Sequence, residues 1–511
     1  MSMRTPERSS VVRNTVLSYI GQAYAVLIGI VIMPFYLGHL GAEAYGLIGF
    51  FAVLQAWLLL LDVGLSPSLV RQIAHYQGDT PAQIQQRRPG QLVRSFELIF
   101  LPLALLSSLS VWAASQWIAQ RWLKAQELDT ATIVSCIALM GLMVAFKLYS
   151  TLYKSAIQGM ELHPWLNGAN IFIATVRYVG GLFLVVYLSQ NPLDFFIFQA
   201  AVGFFELLIF AVKAYLLMPP PSLFSGFNWA IVKPIVPFAA SMSLTSMLWI
   251  VLTQMDKVLL SQVLLLKEYG YFSLVALIST GILMLVNPLV QTLLPRMTVL
   301  LAQNRSAEMH QLYLAANRLV GTFLLPLAML IALHGEALLY AWSGNVEAAQ
   351  WSRSILGWYA LGSALMALSG FQFYLQYAYG KVRLHVWYSL VSALVTIPLM
   401  IFAVNNYGAA GAAMTWFLLR LVSFAIWPHL VHRRFAPEIH RQWLHDLLRI
   451  SLMTCVGLLV SAPVFHAIAS DNRFDTFLGL ALSGLITVLL VAVSYKPLVL
   501  KIYLRFSKAS I

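Results

Sequence analysis

Runs of about 20 apolar residues, the length that crosses a bilayer as a helix, recur from one end of this chain to the other. Only short polar breaks separate them, so no soluble domain of ordinary size fits between. Of 511 residues, 60% are hydrophobic and 10% charged, too much apolar surface and too few charges to coat a water-soluble globule. The expected fold class is an all-α polytopic membrane protein.

The expected spans are 14–37, 44–69, 95–118, 131–153, 167–189, 194–216, 234–262, 270–295, 315–340, 354–378, 384–405, 409–431, 447–469 and 475–497, fourteen helices in all. An even number puts both termini on one side, and the loops test that placement through their Lys and Arg content. Of 32 such residues, 24 fall on the side of the termini, among them Arg71, Arg87, Arg88, Lys147, Lys154, Arg433 and Arg434. Five fall opposite (Arg121, Lys124, Lys267, Arg353 and Arg473), and three lie inside helices (Arg177, Lys257 and Arg420). A missed or invented helix would invert every later loop and scramble this bias. Both termini are therefore expected to be cytoplasmic, and the net charge of +13 needs no nucleic-acid partner. The polar, basic N-terminus leads into an apolar run of spanning length without a cleavage site, and is read as a retained first helix.

A repeat shows next. Tyr45-Gly46 and Tyr269-Gly270 each follow a Glu and stand 224 residues apart, close to half the chain. Duplication of a helix bundle is the reading, with two pseudo-symmetric six-helix lobes at 1–218 and 219–432, and residues 433–511 adding helices thirteen and fourteen and a cytoplasmic tail.

Charges inside a bilayer cost a few kcal/mol each, so each calls for an explanation. Those singled out are Asp62, Arg177, Glu206, Asp256, Lys257 and Arg420, three of each sign. Arg177 and Glu206 sit near the middle of neighbouring helices and would satisfy each other, which makes Glu206 a structural charge. Asp62 opens a stretch with Gly64 and Pro67, where it either caps a helix distortion or lines a cavity as a proton or cation site. Asp256 and Lys257 are adjacent and diverge by about 100° on a helix, so they are expected to face different surroundings. The repeat offset aligns them with Ile32 and Met33, so the pair has no first-lobe counterpart and reads as coupling or gating rather than scaffold. Arg177 and Arg420 each lie about eleven residues into a helix, too deep to snorkel. A guanidinium there suits a phosphate or carboxylate in a water-filled cavity.

His429, His432 and His440 cluster near Arg433 and Arg434. No Cys or carboxylate stands at ligand spacing, so a solvated basic face is expected rather than a metal site. Cys136 and Cys455 lie in apolar runs far apart, where a thiol is a small hydrophobe. No cofactor is implied.

LGHLGAEAYGLIGFFAVLQ followed by LDVGLSPSLVRQIA, then LYKSAIQGMELHPWLNGANI and QMDKVLLSQVLLLKEYGYFSL, resemble the Wzx-type flippases of the multidrug/oligosaccharidyl-lipid/polysaccharide exporter superfamily. LLYAWSGN and LQYAYGKVRLH are similar too, and the resemblance covers about residues 10 to 430. It implies two lobes around a central cavity open to one side at a time. It also implies an undecaprenyl-diphosphate-linked oligosaccharide, such as an O-antigen unit of lipopolysaccharide, as substrate in the bacterial inner membrane. On that footing Arg420, Arg177 and Lys257 would receive the diphosphate. Asp256 and Asp62 would couple or gate, with a proton or sodium ion as coupling partner. A polysaccharide polymerase and chain-length proteins would be partners. The sequence departs from drug and cation antiporters of the superfamily in that its first helix, Asn14 to Leu37, holds no acid or base.

Two other functions compete. Small-molecule antiport would use the same fold. A membrane polymerase or ligase would present paired acids or an Arg/His-rich constellation on a sizeable outer loop. The outer loops are a dozen residues or fewer with few acids, which favours transport over catalysis.

Overall fold

The computed structural model of the chain describes residues 8–62, 64–77, 89–217 and 226–494. Arg4, Arg87, Arg88, Lys496, Lys501, Arg505 and Lys508, and the expected lobe boundary at 218/219, lie outside them. Every named element among the described residues is a helix, and the β features among them amount to a bridge between Lys124 and Leu265. Contacts divide the chain into two compact units, Met1–Gly270 and Tyr271–Ile511.

In the first unit α1 (Arg8–Leu40) and α2 (Ala42–Leu58) are separated by Gly41 alone, whose φ of 86° only glycine adopts cheaply. The chain breaks again at the 3-10 turn Leu59–Asp62 before α3 (Leu65–Gln77). Helices α4 (Pro89–Trp117), α5 (Thr130–Gly159), α6 (His163–Thr175), α7 (Pro192–Leu217), α8 (Val236–Val263) and the first turn of α9 (Leu266–Met284) complete it. α5 is the hub, packed against α3, α4 and α7. Phe96, Phe100, Val144, Leu148, Leu152, Ile157 and Phe210 are fully buried between these helices. α8 packs against α2 and α3, which is why the first unit takes in the seventh passage.

The second unit continues α9 and adds α10 (Asn287–Ala302), α11 (Ser306–Ser343), α12 (Val346–Ser352), α13 (Leu356–Ala378), α14 (Arg383–Phe435), α15 (His440–Ile468) and α16 (Arg473–Val493). Here α11 is central, packed against α10, α13, α15 and α16. A straight helix would hold Ala403 and Gly411 of α14 about 12 Å apart. Instead, a Cβ added to Gly411 would collide with the Ala403 carbonyl oxygen, because Gly408 at φ 56°, ψ −138° turns the chain back on itself. α14 is thus two passages.

Nine helices among the described residues are long and apolar enough to cross a membrane, and α12 with α13, bent by 63°, forms a tenth such span. The doubling of α14, together with α1, α8 and the broken pair α9 and α10, brings the passages to the fourteen expected from the sequence.

Candidate functional site

α5 carries Met143, Lys147, Ser150 and Lys154 at intervals of four, three and four residues, which a helix places in one stripe. That stripe lines a cavity of about 440 Å³ in the first unit. α7 contributes Gln199, Gly203 and Glu206, again one face; α2 contributes Gln55, and α1 contributes Tyr36. α6 and its extension contribute Asn167, Asn170 and Arg177.

Three cations converge on one carboxylate. Lys154 Nζ lies 2.5 Å and Lys147 Nζ 3.4 Å from Glu206 Oε1, while Arg177 Nη2 lies 2.7 Å from Oε2. The Glu206 side chain is 4% exposed, whereas those of Lys147, Lys154 and Arg177 are 35%, 21% and 24% exposed. The cations therefore face the open space and the acid sits behind them. Three positive charges against one negative leave this group with a formal charge of +2. Away from bulk water such an excess attracts an anion strongly.

Arg177 reaches the cavity from an unusual backbone. After Thr175 the helix widens into π-helical turns at Val176–Gly180 and Leu184–Leu188, a local form often found at functional sites. Two carbonyls of the first π-helical turn accept from side chains of two other helices. Tyr36 donates its hydroxyl to the Tyr178 carbonyl at 2.8 Å, and Gln199 Nε2 donates to the Arg177 carbonyl at 3.2 Å. Gln199 Oε1 in turn accepts from Arg177 Nη1 at 3.3 Å, fixing the guanidinium. Gly181 leaves room for this, because a Cβ there would stand 2.5 Å from the Tyr36 hydroxyl.

Of the residues singled out from the sequence, the fold brings Arg177 and Glu206 together here and leaves the others elsewhere. Asp62 Oδ1 accepts from the Ser66 backbone N–H at 3.0 Å and from its hydroxyl at 2.8 Å. Asp62 thus caps the helix that begins after the break. Asp256 is buried at 1% exposure, and Lys257 bends back until its ammonium is 3.5 Å from the Asp256 carboxylate and 2.5 Å from the Thr253 carbonyl. The expected divergence of this pair is overcome by the length of the lysine stem. Arg420 lies in the second unit, 8% exposed, with its guanidinium 4.6 Å above the Trp416 ring. Arg420, Lys257, Asp256 and Asp62 do not line the cavity of the first unit.

His429, Arg433 and Arg434 are exposed, as expected of a solvated basic face, and His432 departs from it. His432 is fully buried and shares hydrogen bonds with Tyr313 at 2.9 Å and with His440 at 3.1 Å, and His440 continues to His429 at 3.3 Å. Among the described residues no group of three or more His, Cys, Asp or Glu is arranged to hold a metal.

Sequence reading missed Lys147 and Lys154, which it counted with the basic loop residues although both lie on α5. Their seven-residue spacing, which returns to the same helix face, was the available signal. It also passed over Glu97, buried beneath Tyr153, Tyr215 and Arg94, and the pair Arg318 Nε to Asp446 Oδ2 at 2.6 Å.

The family described as polysaccharide biosynthesis protein matches residues 11–301, a stretch that contains the whole cavity. The chain belongs to the polysaccharide biosynthesis protein family. Among solved structures, this family member is similar to the lipid II flippase MurJ in an inward closed conformation, with a TM-score of 0.70 and 15% identity, over 95% of this chain and 100% of that one. It is similar also to an inward-facing multidrug resistance MATE family transporter of the MOP superfamily, at a TM-score of 0.65 and 11% identity over 82% and 98%. A Vibrio cholerae MATE transporter, VcmN, aligns with a TM-score of 0.57 and 13% identity over 83% and 97%. No curated protein matches the chain significantly. At these identities the likeness is one of fold, and it is to flippases and transporters rather than to enzymes.

Proposed function

We propose that this protein is a flippase that carries a diphosphate-linked oligosaccharide lipid across the bacterial inner membrane by alternating access, with both termini cytoplasmic. The observation that carries the reading is the cationic cavity. Lys147, Lys154 and Arg177 line open space within a membrane-spanning bundle and outnumber the one carboxylate they share. A diphosphate headgroup supplies the missing negative charge, and the guanidinium presents the planar donors that a phosphate accepts. Membership of a polysaccharide biosynthesis family supports an undecaprenyl-linked glycan such as an O-antigen unit over a drug. Asp256, buried beside Lys257, is assigned to coupling with a proton or sodium ion. The lobes are assigned to residues 1–218 and 219–432, with 433–511 appended.

The test is translocation of a fluorescent diphosphate-linked glycan by the purified protein in proteoliposomes. Lys154→Ala and Arg177→Ala are expected to lower the rate at least ~10-fold each, the scale of a lost charge-assisted contact of about 1.4 kcal/mol or more. Folded variants with an undiminished rate overturn the assignment. Transport of cationic dyes and not of the glycan turns the reading to drug antiport.

A further inference from the structure

We propose that Glu206 sets the number of negative charges the cavity accepts, and so makes it selective for a diphosphate diester. This deepens the reading above and rests on it. Glu206 is deeper than its partners and spends both carboxylate oxygens on them, Oε1 on Lys147 and Lys154 and Oε2 on Arg177. A single arginine would have satisfied one buried carboxylate. Two further lysines, on another helix and more exposed than the acid, remain directed at the cavity.

The charge count then decides which headgroup fits. With Glu206 in place the cluster carries +2, from three cations and one acid. In a space lined by protein inside a membrane-spanning bundle, excess charge of either sign is costly, so the preferred ligand is the one that brings the sum to zero. A phosphate diester carries one negative charge and leaves an excess. A diphosphate diester, in which a lipid and a sugar flank the two phosphates, carries two and neutralises the cluster. A diphosphate monoester, the bare lipid carrier without its sugar, ionises further near neutral pH and overshoots. Glu206 therefore lets the cavity tell a loaded carrier from an empty one by charge, in addition to any contact with the sugar. Gln55, Asn167, Asn170 and Gln199 line the same cavity and add no charge to this sum.

The experiment is a binding series on the detergent-purified full chain with three short-chain probes: citronellyl diphosphate N-acetylglucosamine, citronellyl diphosphate and citronellyl phosphate N-acetylglucosamine. Wild type is expected to rank the sugar-bearing diphosphate first. Glu206→Gln raises the cluster to +3 and is expected to shift the preference ~10-fold toward bare citronellyl diphosphate, while Glu206→Asp keeps the wild-type order. Should Glu206→Gln fail to fold, Lys147→Gln lowers the cluster to +1 with the acid retained, and is expected to shift the preference toward the single phosphate. A folded variant of either kind with the wild-type order overturns the inference. Failure of wild type to bind any diphosphate probe overturns the proposed function itself.

Discussion

Gly270 rests its backbone on the first turn of α2, with a Cβ added to it lying 3.2 Å from the backbone nitrogen of Gly46. The same Cβ would collide with the Ala42 carbonyl oxygen, and one added to Gly46 would collide with that of Leu266. The two Tyr-Gly turns that mark the sequence repeat therefore meet in space, and each requires glycine because backbone fills the place of its side chain. Around this seam Leu266 N donates to the Lys124 carbonyl at 2.9 Å, and Glu43 accepts from the backbone N–H groups of Gln126, Glu127 and Leu128 at 2.6, 3.0 and 2.8 Å. Gly46→Ala and Gly270→Ala are each expected to cost about 1–3 kcal/mol through overpacking. The measurement is thermal unfolding in detergent against Gly38→Ala, a helix glycine with open space where its Cβ would go. Equal stability of all three variants would count against the close contact.

Arg318 and Asp446 join α11 to α15 in the interior of the second unit, with side chains 9% and 13% exposed. Removing one partner leaves the other charge buried, at a cost of about 3–5 kcal/mol. Asp446→Ala is expected to lower the unfolding temperature sharply, whereas Arg318→Met combined with Asp446→Leu recovers most of the loss. A double variant no better than the single one would show that the pair does more than hold the two helices.

Asp256→Asn is expected to leave the amount of protein in the membrane near normal while reducing transport, since this acid and Lys257 have no counterpart at Ile32 and Met33. Quantitative immunoblotting beside the proteoliposome assay separates the two effects. Disappearance of the protein from the membrane would make Asp256 structural.

Reporter fusions after Lys233 and after Ser470 are expected to score on opposite sides of the membrane. An odd number of passages, seven, lies between those positions in the fold. The same side for both would remove or add a helix and reverse the Lys and Arg bias of the loops after it.

The sequence by itself determined the features that depend on a single segment. Fourteen passages are readable because the length and polarity of one run decide whether that run crosses a bilayer, whatever its neighbours do. The cap on α3 is local too, since Asp62 and Ser66 are four residues apart, but the sequence left it beside a second reading of Asp62 as a cavity site. The pairing of Arg177 with Glu206 was readable from their depth in neighbouring helices, but the tertiary structure alone added Lys147 and Lys154 to the site. Lys147, Lys154, Arg177 and Glu206 come from three helices, and hydropathy along the chain says nothing about which face of each helix turns inward. Two lysines toward the end of an apolar run satisfy the loop-charge rule equally well whether they face headgroups or a cavity. Only the packing of α5 against α7, and the π-turn that carries Arg177 toward them, distinguishes the two. The buried His432 is a second case: its neighbours Arg433 and Arg434 suggest a solvated face, and only the approach of Tyr313 on α11 closes it off. A charge on a membrane helix acquires its role from what stands opposite, and that is information no single segment contains.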